Sequence, residues 1–266
     1  MKISICIPQY NRIEYLLKSL SIIEKQTYNN IEIVISDDCS TDNTFEEINN
    51  LKKSYKYPLV YSRNEKNLGY DRNFRKSIEL SSGDYAFVIG NDDSINGEKS
   101  IEFLVDFLLK NNLPDIGFCN AIEERSGGQL VKRAWGNRII GTDTEIALKN
   151  YSCFSFVGGL IFKRSTFMKF NTSKYDGSIY SQMYFGVFLI CKGSVLFSIE
   201  EPLVIKDLLL KDKEINSYKD TLSKSWKNFK VVNGGLPSVM NVLISAIRDA
   251  GTLNQSHIFY IFKRMY

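Results

Sequence analysis

Short apolar runs alternate with longer stretches of helical periodicity along the first 90 residues. Residues with the length and the Val/Ile content of buried strands lie at 2–7, 31–35, 59–62 and 85–89. Between these strands, apolar side chains recur at a three- to four-residue spacing, which predicts helices over 13–25, 42–54 and 74–80. Strands that alternate with helices favour right-handed βαβ units, and therefore an α/β fold with a mostly parallel sheet.

The pattern is less regular after residue 90. Further helices are predicted over 97–111, 144–150, 179–192, 218–232 and 236–249, and further strands over 115–120 and 195–199. The polar segment 123–138 contains Gly127-Gly128 and indicates a hairpin or a mobile excursion. We expect the apolar segment 154–162 to line one wall of a site, whereas residues 166–176 are polar and poorly periodic. From residue 206 onward, Lys, Asp and Asn become more frequent.

Polar clusters follow three of the predicted strands, at the point where each strand ends. These clusters are Tyr10-Asn11, Asp37-Asp38 and Asn91-Asp92-Asp93. Open α/β sheets bind ligands at the carboxyl ends of their strands, so the three clusters are expected to share one crevice. Taken alone, the last cluster suits a helix N-cap as well as a divalent cation. Three clusters at matching ends favour a metal site that also holds a diphosphate.

Composition narrows the class of protein. The 266 residues are 44% hydrophobic and carry a net charge of +4, which is too small to indicate nucleic-acid binding by itself. The amino terminus lacks the apolar region of a signal peptide, and no stretch approaches the roughly 20 apolar residues of a membrane span. Five scattered cysteines suggest buried thiols in a reducing compartment, so we expect a cytoplasmic protein.

The first strand is not followed by a glycine-rich phosphate loop. Both the P-loop pattern and the dinucleotide fingerprint are missing from residues 8–12, which argues against kinases, GTPases and dehydrogenases. A metal ion is then expected to hold the phosphates of a nucleotide.

Three ordered motifs carry a family resemblance: residues 5–12 (ICIPQYNR), 32–42 (EIVISDDCSTD) and 83–93 (GDYAFVIGNDD). Together they resemble family 2 glycosyltransferases of the GT-A fold, strongly over residues 1–115 and more weakly to residue 205. Residues 67–74 (NLGYDRNF) further resemble the abequosyltransferase-like branch, whose members build bacterial O-antigen side chains. The resemblance implies a GT-A domain over 1–205, with a nucleotide-binding half over 1–115 and an acceptor half over 116–205, and a helical extension over 206–266.

The resemblance also implies the chemistry. A sugar would move from a UDP-, CDP-, GDP- or dTDP-sugar to a hydroxyl of a glycan or lipid-linked oligosaccharide, with inversion, in O-antigen or capsule synthesis. Asp92 would hold Mn²⁺ or Mg²⁺ on the diphosphate, Asp93 would support it or touch the donor sugar, and Asp38 with Asp37 would read the base. The remaining donor contacts would be Pro8, Tyr10, Asn11, Asn67, Arg72 and Asn91. A solvated helix charge is as good an interpretation of Arg72, and Asp42 is interpreted as a helix cap.

Two positions depart from the family pattern. Gly90 stands where the metal motif usually has its first Asp, which leaves the motif one carboxylate short. Ser181-Gln182 stands where the family's Glu-Asp pair usually supplies the catalytic base, and neither side chain is a base at neutral pH. Asp176 is the nearest carboxylate and the candidate base, although a surface-loop role is the commoner one. Glu200 and Glu201 are the fallbacks.

Two other functions remain open at this stage. The missing Glu-Asp pair also suits a nucleotide-sugar-binding protein without transferase activity. A metal-dependent nucleotidyltransferase shares the sheet and crevice, but a glycine-rich loop with Arg or Lys would be expected after its first strand. The aromatic, basic tail at 259–266 suits peripheral contact with the inner face of the membrane, or simply a last helix packed on the domain.

Overall fold

The computed structural model describes residues 1–210 and 235–265. Within these residues the strands are β1 (Ile3–Gln9), β2 (Ile31–Asp37), β3 (Leu59–Arg63), β4 (Tyr85–Val88), β5 (Ser94–Ile95), β6 (Ile116–Glu123), β7 (Gln129–Val131), β8 (Arg138–Gly141), β9 (Leu160–Lys163) and β10 (Leu196–Lys206). The α-helices are α1 (Ile13–Ile23), α2 (Thr44–Leu51), α3 (Tyr70–Glu79), α4 (Ser100–Lys110), α5 (Thr144–Asn150), α6 (Arg164–Phe170), α7 (Ser181–Cys191), α8 (Leu236–Ala250) and α9 (Gln255–Met265). The predicted helix over 218–232 lies outside the described residues.

All the strands belong to one mixed sheet, in the order β3-β2-β1-β4-β9-β6-β10-β5, with β7 paired to β6 and β8 to β10. The first four strands are parallel, with Ile5 of β1 opposite Ile33 of β2 and Phe87 of β4. This confirms the predicted parallel sheet. Strand β9 enters antiparallel between β4 and β6, and places Ile161 opposite Phe87. The carboxyl ends of β1, β2 and β4 therefore lie side by side.

The sheet is buried on both faces. Ile3, Ile5 and Ile7 of β1 belong to the apolar cluster on one face, whereas Cys6 between them belongs to the cluster on the other. Successive side chains of a strand point to opposite faces, so a strand covered on both sides reads as a continuous apolar run. Helix α8 contributes to the second cluster through residues such as Leu243, which pack together with α7.

Several elements differ from the sequence prediction. Helix α3 begins at Tyr70 and not at residue 74, directly after Gly69, whose φ of 86° ends the preceding loop. The segment 154–162 begins at the last residue of a short 3₁₀ helix (Tyr151–Phe154) and ends within β9, and the first part of the polar stretch after it lies in α6. The segment after β6 is a hairpin, as predicted, with Gly127 and Gly128 in the left-handed region. Among the described residues, none of the helices combines the length and apolar character needed to cross a bilayer.

A buried carboxylate, Glu32, joins the amino-terminal ends of the parallel strands, opposite their carboxyl ends. Glu32 of β2 accepts hydrogen bonds from the Ser4 hydroxyl (2.6 Å) and from the Ser82 backbone N–H (2.6 Å), and it pairs with Lys2 (2.6 Å). Burial by itself would raise the pKa of Glu32, but these partners outweigh it and lower the pKa to about 2. The ionised carboxylate is therefore a structural group.

We expect Glu32→Gln to lower the free energy of unfolding at pH 7 by about 2 kcal/mol, because Gln loses the charge that these partners stabilise. The folded pKa lies below the ordinary value of 4.5, so the contribution is complete above pH 4.5 and is lost as the pH falls towards 2. Urea unfolding at pH 7 and pH 3 measures this, with exposed Glu47→Gln as the control. An equal difference between wild type and Glu32→Gln at both pH values would contradict the assignment.

Candidate nucleotide-sugar site

A cleft of about 530 Å³ opens at the carboxyl ends of β1, β2 and β4. Seven of the residues predicted from sequence line it: Pro8, Tyr10, Asp38, Asn67, Asn91, Asp92 and Asp93. Asn11, Asp37, Arg72 and Asp176 lie outside the lining. The three strand-end clusters thus meet in one crevice, because parallel strands present their carboxyl ends at the same edge of the sheet.

Asp38 anchors the loop that forms one wall of this cleft. Its carboxylate accepts hydrogen bonds from the Asn64 side chain (2.8 Å) and from the backbone N–H groups of Leu68 (2.8 Å) and Gly69 (2.9 Å). The side chain is only 3% exposed, yet it borders the cleft. Tyr10 lies across the opening with 43% of its surface exposed, which leaves an aromatic face available for stacking.

Three other predicted contacts are engaged within the protein. Asp37 is fully buried and accepts hydrogen bonds from the Tyr61 hydroxyl (2.6 Å) and the Ser40 backbone N–H (2.9 Å). The Asn11 side chain accepts a hydrogen bond from the backbone N–H of Thr41 (2.7 Å). Arg72 pairs with Glu79 at 2.7 Å along the same helix. These contacts shape the walls around the cleft.

Asp42 joins two helix starts. Its carboxylate accepts hydrogen bonds from the backbone N–H of Thr44 (3.1 Å), the first residue of α2, and from that of Ile13 (3.0 Å), the first residue of α1. The capping interpretation of Asp42 is confirmed, and it extends to a second helix.

The Asp92-Asp93 pair contains two carboxylates in different environments. Asp92 is partly exposed to the cleft and forms an ion pair with Arg12, which also lines the cleft. Asp93 is 1% exposed and accepts hydrogen bonds from the backbone N–H groups of Gly90 (3.0 Å) and Asp207 (3.2 Å). Burial, and then the negative charge of Asp92, raise the pKa of Asp93. Asp92 is therefore the carboxylate that a ligand meets.

Two glycines enclose the Asp93 carboxylate. A Cβ atom added at Gly90 would lie 2.7 Å from Asp93 Oδ2, and one added at Gly158 would lie 2.6 Å from the same atom. Neither distance leaves room for a side chain. The position at which the family usually carries its first Asp is therefore filled by the Asp93 carboxylate.

The donor set fits a metal ion that is held mainly by a nucleotide. The described residues contain no group of three side chains that would bind a metal by themselves. A Mg²⁺-type ion, however, usually takes one or two carboxylates and completes its shell with water and phosphate. The described lining carries four aspartates, Asp38, Asp92, Asp93 and Asp207, against the cations Arg12 and Lys206. An anionic diphosphate in this lining would need added positive charge, which a divalent ion would supply.

The end of β10 forms a wall that the sequence did not predict. Lys206 lines the cleft and pairs with Glu123 (2.6 Å) and Asp207 (2.7 Å). The backbone N–H of Leu208 donates to the carbonyl of Asp92 (2.8 Å), so this segment is fixed to the Asp92-Asp93 turn. The expected strand ended at residue 199, and no sequence motif marks Lys206 or Asp207.

The opposite wall is formed by residues 155–157 and by the start of α7. Ile179, Tyr180 and Gln182 from the second of these lie in the lining. Gln182 is 3% exposed, and its Oε1 has no hydrogen-bond partner among the described residues. Ile179 has a φ of 66°, an unusual backbone conformation for a β-branched residue. The cleft lining therefore includes an amide oxygen without a hydrogen-bond partner among the described residues, while the Gln182 amide nitrogen donates to the Ser155 carbonyl (3.5 Å).

Helix α3 holds this second wall in place. The buried Asp71 carboxylate accepts hydrogen bonds from the backbone N–H groups of Gly177 (2.8 Å), Ile179 (2.7 Å) and Ser181 (3.0 Å). We name residues 177–182 the α7 entry segment. One turn further along α3, Arg75 forms two hydrogen bonds to Asp176, at 2.7 and 2.6 Å. The fallback base Glu200 lies beside Lys132, outside the cleft lining.

Comparisons with known proteins agree with this architecture. The chain superposes on Staphylococcus aureus TarS in complex with UDP with a TM-score of 0.71 at 16% identity, covering all of this chain and 70% of that one. The mannosyltransferase PcManGT from Pyrobaculum calidifontis, in complex with GDP-Man and Mn²⁺, gives a TM-score of 0.58 at 14% identity over 98% of this chain and 73% of that one. The protein has the GT-A fold of glycosyltransferases, as the sequence predicted.

Sequence relatives define the family. The model of glycosyl transferase family 2 matches residues 4–170, and the chain belongs to this family. Abequosyltransferase RfbV of Salmonella typhimurium is 35% identical over an alignment of 232 residues, which covers 77% of this chain and 66% of that enzyme. A Campylobacter jejuni GalNAc(5)-diNAcBac-PP-undecaprenol beta-1,3-glucosyltransferase is 24% identical over 62% of this chain and 52% of its own length. The chain thus spans only part of the length of these relatives.

Proposed function

We propose that this protein transfers a sugar from a nucleoside diphosphate donor to a hydroxyl of a glycan or lipid-linked oligosaccharide, in the synthesis of a bacterial surface polysaccharide. The single observation that carries the proposal is the cleft in which Asp38 and the Asp92–Arg12 pair meet at adjacent strand ends. The resemblance to an O-antigen abequosyltransferase and to an enzyme acting on an undecaprenol-linked glycan supports the acceptor class.

The two ends of the cleft would bind different parts of the donor. The nucleoside would lie between Tyr10, Asp38 and Asn67, where an aromatic face and a buried carboxylate suit a base and a ribose. The diphosphate would then reach Asp92 and Arg12. Bound Mn²⁺ or Mg²⁺, held by Asp92 together with the phosphates, would neutralise the charge of the departing diphosphate.

The acceptor would enter along the α7 entry segment and residues 155–157. Tyr180 and Gln182 would orient its hydroxyl group towards the anomeric carbon, and attack from this wall would invert the configuration. The assignment of Asp176 as the general base stays a prediction. Both of its carboxylate oxygens accept hydrogen bonds from Arg75, so reaching the acceptor would require this pair to open.

One observation favours a second candidate function. Ser181 and Gln182, at the position where the family places its Glu-Asp pair, supply no carboxylate to the cleft wall. A protein that binds nucleotide sugars without transferring them would have the same donor wall.

Peripheral membrane contact through the exposed Phe259 and Phe262 of α9 also stays a prediction. Ile261 of the same helix is buried in the core, so one side of α9 packs on the domain.

Donor binding and turnover test the proposal. We expect one of the UDP-, GDP-, CDP- and dTDP-sugars to raise the melting temperature in the presence of Mn²⁺, and to release its diphosphate when lipid-linked glycan extract is added. Asp38→Ala should remove the stabilisation, whereas exposed Glu47→Ala should keep it. Stabilisation without release of diphosphate from any donor would favour the binding protein. No stabilisation by any donor would overturn both functions.

A further inference from the structure

Arg12 is the last residue of the motif at 5–12, yet its partner Asp92 does not follow from that motif. The Arg12 guanidinium pairs with Asp92 Oδ2 inside the cleft, and the two side chains are 16% and 15% exposed. A partly buried pair of this kind is screened less by solvent than a surface pair. Any ligand that takes Asp92 must therefore compete with Arg12.

The backbone on both sides of Arg12 is fixed. The backbone N–H of Asn11 donates to the Ser40 hydroxyl (3.0 Å), and that of Ile13 donates to the Asp42 carboxylate (3.0 Å). The carbonyl of Arg12 accepts the first hydrogen bond of α1, from Leu16 (3.0 Å). Rotation of the side chain is therefore the available way for the guanidinium to leave Asp92.

The other carboxylate of the turn offers a cation no alternative. Asp93 is enclosed by Gly90 and Gly158, and its two oxygens accept backbone hydrogen bonds. Asp92 is then the carboxylate of this turn that a divalent ion would bind, and its Oδ2 atom is already paired with the Arg12 guanidinium. The diphosphate that enters with the ion would offer the Arg12 guanidinium a second anion, in a geometry that Arg binds well.

We propose that Arg12 couples the binding of the divalent ion to that of the nucleoside diphosphate. It competes with the ion for Asp92 and transfers to the phosphates when the nucleotide arrives. The ion alone then binds weakly, because it must separate the Arg12–Asp92 pair. When ion and nucleotide bind together, the free energy needed to separate the Arg12–Asp92 pair is spent once for both ligands, which is positive coupling between them. The inference rests on the proposed nucleotide-sugar site.

The test measures Mn²⁺ binding by electron paramagnetic resonance, with and without the nucleoside diphosphates UDP, CDP, GDP and dTDP. We expect Arg12→Ala to bind Mn²⁺ alone about tenfold more tightly than wild type, while the factor by which Mn²⁺ strengthens nucleotide binding falls about tenfold. Arg12→Gln is the second variant, in case Arg12→Ala does not fold. Exposed Arg138→Ala, on β8, is the matched control.

The outcomes separate this inference from the proposed function. Mn²⁺ affinity that is unchanged or weaker in the Arg12 variants, measured without nucleotide, would overturn the competition. Unchanged coupling in the same variants would overturn the transfer of Arg12 to phosphate. If none of the four diphosphates binds to wild type, the proposed function fails, and the inference that rests on it fails as well. Tighter Mn²⁺ binding together with lost coupling supports the inference.

Discussion

We expect replacement of Asp92 by Asn to lower the rate of sugar transfer by about 1000-fold and to remove the effect of Mn²⁺ on nucleotide binding. Asp92 is the accessible carboxylate of its turn, and Asn keeps the shape of the side chain but not the charge that holds a divalent ion. The loss corresponds to removing most of the charge stabilisation of the departing diphosphate, for which effects of about 100- to 1000-fold are typical.

Isothermal titration with the best diphosphate, in Mn²⁺ and in EDTA, measures the binding effect, and steady-state kinetics measure the rate. Asp106→Asn serves as the control, because Asp106 lies exposed on α4, away from the cleft. If Asp92→Asn binds nucleotide with the Mn²⁺ dependence of wild type, the ion is held elsewhere and the role assigned to Asp92 is wrong.

The second large effect is expected from removal of the Asp71 carboxylate. It concerns the α7 entry segment, along which the acceptor is proposed to enter. We expect Asp71→Ala to lower the free energy of unfolding by about 3 kcal/mol, since three backbone N–H groups lose their acceptor. Transfer to the acceptor should fall much more than donor binding, because the α7 entry segment carries Tyr180 and Gln182 whereas the nucleoside wall does not depend on it.

Hydrogen exchange locates this effect along the chain. The amides of residues 177–182 should lose protection in Asp71→Ala and keep part of it in Asp71→Asn, which retains one acceptor oxygen. Asp106→Ala should change neither exchange nor donor binding. If Asp71→Ala weakens donor and acceptor binding equally, α3 supports the whole cleft and the separation of the two walls is incorrect.

The strand ends were the part of the site that sequence could predict. Polar residues that follow buried strands must meet at one edge of a parallel sheet, so Tyr10, Asp38 and Asp92 could be grouped without coordinates. The partners of the predicted residues could not be found in this way. Asp176 pairs with Arg75, which lies 101 positions earlier in the sequence. The orientation of α3 and the path of the chain before α7 bring the two side chains together.

The end of β10 shows a different limit. The run Glu200-Glu201-Pro202 reads as the end of a strand, because proline has no N–H to donate to the sheet. In the structure, the register between β10 and β6 shifts on both sides of Pro202. The sheet accommodates the proline in this way, and the strand continues to Lys206. This continuation brings Lys206 and Asp207 into the cleft. Whether a bulge can accommodate a proline depends on how the strand pairs with its neighbour. That pairing does not follow from the residues of β10 alone.

The enclosure of Asp93 by Gly90 and Gly158 has a consequence for how this chain diverges from other family members. An acidic residue at position 90 and the present placement of Asp93 exclude each other, since both would occupy the same volume. An acidic residue at position 90 therefore requires the Asp93 carboxylate to leave its present place between Gly90 and Gly158.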